Sequence, residues 1–165
     1  MLTTIISGGE TGADQGGLRA AKSLGYKTGG CMPRGFRTAN GPAPGLAQEF
    51  GLREHTSSRF SSATRTNVQD ADGTIRFARD FQSPGSQSTL KFIRQYGKPY
   101  LDIDMDNPRP VEEVRRWLDA NKIKVLNVAG NREKLAPGIE RFVTEYLVKV
   151  LSSSDSPPSS SVSNP

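Results

Sequence analysis

The chain is poor in the residues that build metal cages and covalent staples: of 165 residues, one is cysteine (Cys31) and one is histidine (His55). An internal disulfide framework is thereby excluded, an N/S zinc cage lacks ligands, and a reducing, cytoplasmic setting is expected. No apolar run approaches the ~18 residues a membrane helix needs. The opening MLTTIISGG has neither the basic n-region nor the cleavage site of a secretory signal. Charge of one sign is also missing in places. No acid occurs from Gln15 to Gln48, where Arg19, Lys22, Lys27, Arg34 and Arg37 supply as much positive charge as the whole net excess of +5. No lysine occurs between residues 28 and 90, whose cations are Arg34, Arg37, Arg53, Arg59, Arg65, Arg76 and Arg79. Guanidinium forks grip phosphate or carboxylate with two parallel hydrogen bonds. The pattern therefore favours a compact site for a small anionic ligand. A nucleic-acid surface would need a basic stripe interleaved with aromatics, which is lacking.

The last 14 residues, SSSDSPPSSSVSNP, hold eight serines, three prolines and one apolar residue, Val162. Residues 1–151 are expected to form one domain with one core, and 152–165 a solvated, low-complexity tail. Along the domain, apolar runs alternate with 3.6-residue periodicity. Strands are expected at Leu2–Ser7, Tyr26–Thr28, Leu52–Thr56, Gly73–Ala78, Lys98–Ile103 and Ile123–Ala129. Helices are expected at Thr11–Gly25 (apolar stripe Leu18, Ala21, Leu24), Ser62–Gln69, Ser86–Tyr96, Pro110–Asn121 and Gly138–Leu151. Gly29–Gly45, punctuated by Gly and Pro, reads as a long surface loop. The alternation implies an α/β, Rossmann-like three-layer fold: a mostly parallel sheet with helices on both faces and ligands at the carboxyl ends of the strands.

Two strand–helix junctions carry the anion-site pattern. In SGGETGAD (7–14), Gly8 and Gly9 permit close backbone approach, Gly12 opens the helix, and Thr11 offers a hydroxyl. The loop is neither a Walker A motif nor GxGxxG. In SPGS (83–86), Gly85 and the following amides, with the Ser86 and Thr89 hydroxyls, repeat the device, although serine is also a common N-cap for structural reasons alone. Asp70 and Asp72 could do acid–base work, but a DADG turn explains them better. His55 has no evident Ser or Cys partner, and Cys31 reads as packed. Glu10 and Glu133 are the carboxylates best placed for any catalysis. No nucleophile–base–orienter set can be assembled, so no residue is assigned to catalysis or to metal ligation.

Taken together, IISGGETGADQGGLRAA (5–21), GGCMPRGFR (29–37), RTNVQDADGT (65–74) and NVAGNRE…PGIE (127–140) resemble the molybdenum cofactor carrier protein family over roughly residues 3–150. The resemblance implies a Rossmann-like domain related to phosphoribohydrolase-type nucleotide-binding folds. It implies homo-oligomers, tetramers or dimers, that bind, protect and deliver the molybdenum cofactor without transforming it. Molybdate or another oxyanion is a simpler cargo of the same chemistry, and recipient molybdoenzymes are the implied partners. Matched site positions are Ser7, Gly8, Gly9, Glu10, Thr11, Gly12 and Asp14 in the first block, and Arg34, Gly35 and Arg37 in the second. Arg65, Asn67, Asp70, Asp72 and Gly73 follow in the third, and Asn127, Gly130, Arg132 and Glu133 in the last. Ser83, Gly85, Ser86 and Thr89 complete the set. Pro84 stands where the pattern has a second Gly and Ser86 where it has Thr; Asn131 replaces a Pro, and Lys134 a small polar residue.

The alternative is a nucleotide or phosphoribosyl hydrolase of the related fold. Such enzymes carry a PGGxGTxxE-like loop whose Glu serves the chemistry, and SPGSQSTLK (83–91) has no carboxylate there. A nucleic-acid binder is favoured only by the basic isoelectric point near 9.6.

Overall fold

The computed structural model describes residues 1–152; the expected Ser/Pro-rich tail lies, from residue 153 on, outside the described residues. In chain order the elements are β1 (Thr4–Ile6), α1 (Ala13–Ser23), β2 (Lys27–Gly29), β3 (Cys31–Met32), β4 (Arg37–Thr38), β5 (Gly41–Pro42), α2 (Pro44–Phe50) and β6 (Arg53–Glu54). There follow α3 (Phe60–Asp70), β7 (Gly73–Ala78), α4 (Pro84–Tyr96), β8 (Tyr100–Asp104), α5 (Val111–Ala120), β9 (Val125–Gly130) and α6 (Ile139–Leu151). Five strands form one fully parallel sheet in the order β2-β1-β9-β7-β8. Helices α1, α5 and α6 pack together on one side, and α3 and α4 pair on the other. The expected α/β, Rossmann-like three-layer fold is the observed one. No helix among the described residues is long and apolar enough to cross a membrane.

The apolar periodicity explains the packing. On α6, Ile139, Val143, Tyr146, Leu147 and Val150 share one buried face, which meets α1. Gly16 and Gly17 of α1 make that meeting close: a Cβ on Gly16 would press on the Glu140 carbonyl and Val143, and one on Gly17 on Val128. Leu24, expected on the α1 stripe, is instead 37% exposed beyond the last helical turn.

The expected surface loop at 29–45 is a correction. It contains β3, the β4–β5 hairpin and the start of α2, which opens with Pro44 in its first turn, where a missing N–H costs nothing. Met32, Ala47, Phe50 and Leu52 close around Leu18 as a second, smaller core, so the segment is tied down by burial. Likewise the strand at Arg53–Glu54 does not join the main sheet; it pairs with β3.

Strand β7 is buried at every position, including Arg76. Its guanidinium, with a side chain only 4% exposed, takes both Asp102 carboxylate oxygens at 2.7 Å on the neighbouring β8, donates to the Ser86 carbonyl (2.8 Å), and lies against Phe81 and Tyr100. A buried charge left without its counterion is costly. Asp102→Ala is therefore expected to lower stability by about 3 kcal/mol, read as a fall in Tm of roughly 6–12 °C. Arg76→Met with Asp102→Leu should recover most of it.

Candidate functional site

An enclosed cleft lies at the carboxyl ends of β1 and β9, bordered by the amino-terminal halves of α3 and α4. It encloses about 260 Å³, near the lower end for small-molecule sites. Its walls come from five chain-distant stretches: Gly8, Glu10 and Asp14; Pro33; Phe60, Ala63, Thr64 and Asn67; Ser83, Pro84, Gly85 and Thr89; and Asn127 through Arg132 apart from Val128, with Leu135. Of the expected site residues, Gly8, Glu10, Asp14, Asn67, Ser83, Gly85, Thr89, Asn127, Gly130 and Arg132 are brought together here.

The mouth is cationic through an aromatic ring. The guanidinium centres of Arg37 and Arg132 each lie 5.1 Å from the centroid of Phe60, the first residue of α3. Stacking on a ring holds a guanidinium in place while leaving its N–H edge available. Arg37 is steadied further by the Ser58 carbonyl (2.9 Å). Arg132 stands 3.7 Å from Glu10, whose carboxylate also receives the Thr11 and Ala39 amides. Glu10 thus ties the first loop to the β4–β5 hairpin. Phe60 was not anticipated from sequence; its only local signal is an aromatic directly after Arg59 at the start of a polar helix.

The first loop departs from expectation in how its amides are used. The amide of Ala13, which opens α1, donates to the Asn131 carbonyl (3.1 Å), and that of Gln15 to the Glu10 carbonyl (3.3 Å). Gly12 (φ 87°) packs so tightly on residues 131–133 that a Cβ would overlap their backbone. The first amide of α1 is therefore taken by the β9–α6 loop. Ser7 is fully buried and fastens the loop by donating to the Asp14 carbonyl (3.0 Å). Gly9 turns toward Met32 and Leu52 of the second core, and Thr11 lies outside the cleft.

Most of the arginine-rich stretch is likewise engaged elsewhere. Arg53 pairs with Asp70 (2.5 Å), Arg65 with the Tyr96 hydroxyl (2.6 Å), and Arg79 with Asp106 (2.9 Å). Arg34 reaches the Thr56 carbonyl, and the Gly35 amide donates to Glu54 (2.7 Å). Asp72 accepts from the Lys124 and Val125 amides at the amino end of the sheet, opposite the cleft. Glu133 accepts from the Gly138 and Glu140 amides and so caps α6. Ser86 is buried with its hydroxyl unpartnered, beneath rather than in the cleft wall. Of these residues none lines the cleft; Arg34, Gly35, Arg65, Asp70, Asp72, Ser86 and Glu133 were expected there because a linear pattern does not reveal long-range partners.

Two departures from the family pattern now have physical accounts. Pro84 is the first residue of α4, behind the N-cap Ser83. The Asn131 side chain receives the Arg79 and Asp80 amides (2.8 and 3.0 Å) and donates to the Asp80 carbonyl (2.9 Å), pinning the β7–α4 loop that forms one cleft wall.

Asp14 keeps an opening to the cleft but is otherwise enclosed by protein. Burial, with the Glu10 charge adding, pushes its carboxyl up to about 8; the Glu10 and Gly8 amides and Arg132 pull the other way. Between the ordinary carboxylate range and that value, the folded chain holds a proton that the unfolded chain releases. Asp14 therefore costs stability increasingly as pH rises from about 4 to 8, and no more beyond. Above 8 a second negative charge stands beside Glu10. Retention of a phosphate-bearing ligand is expected to fall from pH 7 to 9, and Asp14→Asn should flatten that dependence in a titration of Kd against pH.

The fold and the position of the cleft define a Rossmann-like α/β protein of the kind that takes its ligand at the carboxyl edge of a parallel sheet. Residues 5–151 match the circularly permutated YpsA SLOG family, and the chain belongs to that family. It is also similar to the 1.45 Å crystal structure of a protein from Syntrophus aciditrophicus SB named "putative molybdenum carrier protein". The two are 34% identical with a TM-score of 0.82, over 92% of this chain and 96% of that one. No curated protein matches the chain.

Proposed function

We propose that residues 1–151 act as one ligand-binding domain that holds, shields and hands over the molybdenum cofactor, as a carrier rather than an enzyme. The observation that carries this reading is the guanidinium pair on Phe60 at the mouth of a cleft whose wall mixes small apolar residues (Ala63, Ala129) with amide and hydroxyl groups (Asn127, Thr89). That division suits a ligand with a phosphate at one end and a flat ring system at the other. Arg37 and Arg132 would hold the phosphate, the Gly85 amide, which has no acceptor among the described residues, would donate to the ligand, and Gly8 and Gly130 would let the ring approach the backbone. The name of the Syntrophus aciditrophicus protein supports a molybdenum-containing cargo. A cytoplasmic setting, a homo-oligomer and recipient molybdoenzymes belong to this reading.

The test is retention and transfer. The protein is incubated with the cofactor, freed of unbound ligand, and mixed with a cofactor-free molybdoenzyme whose activity reports delivery. Gly9→Asp is a poor control, because its side chain would enter the second core; Arg37→Ala with Arg132→Ala is the better one. Wild type retaining no more cofactor than this double variant would sink the proposal. The two carboxyl groups at the cleft, Glu10 and Asp14, favour a second reading, hydrolysis of a nucleotide or phosphoribosyl bond. Release of free base from nucleoside monophosphates would establish it.

A further inference from the structure

Among the residues lining the cleft only Arg132 carries a positive charge, and it stands 3.7 Å from Glu10, so the amide and hydroxyl side chains are left to read the rest of a ligand. Three asparagines line the cleft; Asn131 is spent on the β7–α4 loop, and the other two behave differently from each other. Asn67 uses both ends of its amide on the Cys31 backbone, receiving its N–H (2.8 Å) and donating to its carbonyl (3.0 Å), and so fastens α3 to β3. Asn127, only 3% exposed, bonds to the Thr74 hydroxyl (3.2 Å) with one end of its amide. The other end has no partner among the described residues, and Asn127 is part of the cleft wall. Ser86 Oγ is the one side-chain polar atom sealed from solvent without a partner among the described residues, so the open Asn127 end is reachable from the cleft and free to bond a group that enters it. Its presence points to a ligand group. Asp14 borders the same cleft, one oxygen on the Glu10 amide (3.2 Å); in its uncharged form its carboxyl both donates and accepts.

We infer that the inner cleft selects its ligand by the edge of a planar heterocycle bearing an N–H beside a carbonyl oxygen, as in an amino-oxo pyrimidine ring, with Asn127 as the specificity-determining residue and Asp14 beside it. This rests on the cleft being the ligand site proposed above, and it makes the ring, not the anion alone, what the site recognises. An oxyanion held at Arg37 and Arg132 would have no use for an open amide on β9. Small neighbours, Ala63 and Ala129, leave width for a flat ring between the sheet and α3.

The experiment titrates the full chain with neopterin, a pterin without phosphate, and with its N3-methyl derivative, whose edge N–H is blocked. Neopterin is expected to bind, and methylation to weaken it at least about tenfold, the loss of one hydrogen bond with its partner left unsatisfied. Asn127→Leu should weaken neopterin by a similar factor; if that variant does not fold, the methylated ligand still decides. If the protein retains the molybdenum cofactor while the two pterins bind equally, or neither binds, the cargo is held by its phosphate, the carrier reading stands and this inference falls. If the cofactor is not retained but guanosine binds and adenosine does not, the carrier reading falls and the edge recognition stands.

Discussion

Gly130→Ala is expected to leave little folded protein. Gly130 ends the central strand β9 with φ at 153°, a conformation that L side chains rarely adopt, and pairs with Phe77 of the neighbouring β7. A Cβ there would overlap the Phe77 carbonyl oxygen and press on Ala13 at the start of α1. Neither can yield: the Phe77 carbonyl accepts the Asn131 amide (3.0 Å), and Ala13 is bonded to the Asn131 carbonyl (3.1 Å). Backbone strain and overlap in the sheet centre together should cost more than about 4 kcal/mol, a fall in Tm beyond about 10 °C by calorimetry. Gly85→Ala is the matched comparison, because a Cβ there meets open space and φ is ordinary; its Tm should stay within a degree or two of wild type. A Gly130→Ala protein melting like wild type would show that β7 and β9 can separate at this point.

The largest effect on binding is expected from Arg37→Ala with Arg132→Ala. Each guanidinium is exposed enough for solvent to screen it, so each is assigned about 1.5 kcal/mol, the low end for a charge-assisted hydrogen bond. Losing both should weaken a phosphate-bearing ligand by about a hundredfold, with little change in Tm. Arg34→Ala should be nearly silent, since its guanidinium reaches only the Thr56 carbonyl and, unlike those of Arg37 and Arg132, does not lie on Phe60. Phe60→Leu should reproduce part of the double variant's loss, because both cations depend on the ring for their position. Equal affinities for wild type and the double variant, by isothermal titration, would remove the anion from the mouth of the cleft.

Much of the architecture was legible in the chain itself, for a local reason. The run GTIRFA is β7 to the residue, and the apolar stripe of 139–151 lays out α6, because strand and helix periods are written in neighbouring side chains. Alternation of the two then imposes a parallel sheet with its loops, and any cleft, at the carboxyl edge; Gly8, Gly85, Asn127 and Gly130 meet there for that reason. The segment 29–45 was read less well. Its glycines and prolines signal turns, while what shapes it is burial of Met32 against Leu18, Phe50 and Leu52, contacts that have no local period.

What only the tertiary structure decided is which charged groups are free. Arg53, Arg65, Arg76 and Arg79 look in sequence like Arg37, yet each is matched to a partner on another element: Asp70, Tyr96, Asp102 and Asp106. The glycine loop before α1 has every mark of an anion cradle, but the Asn131 carbonyl, far along the chain, takes the first amide of the helix. Composition and periodicity determined the layers and the edge where a ligand would enter. The amides and guanidinium groups that could meet it were settled by packing between distant segments, because a hydrogen-bonding group is available to a ligand only where the fold supplies no nearer partner.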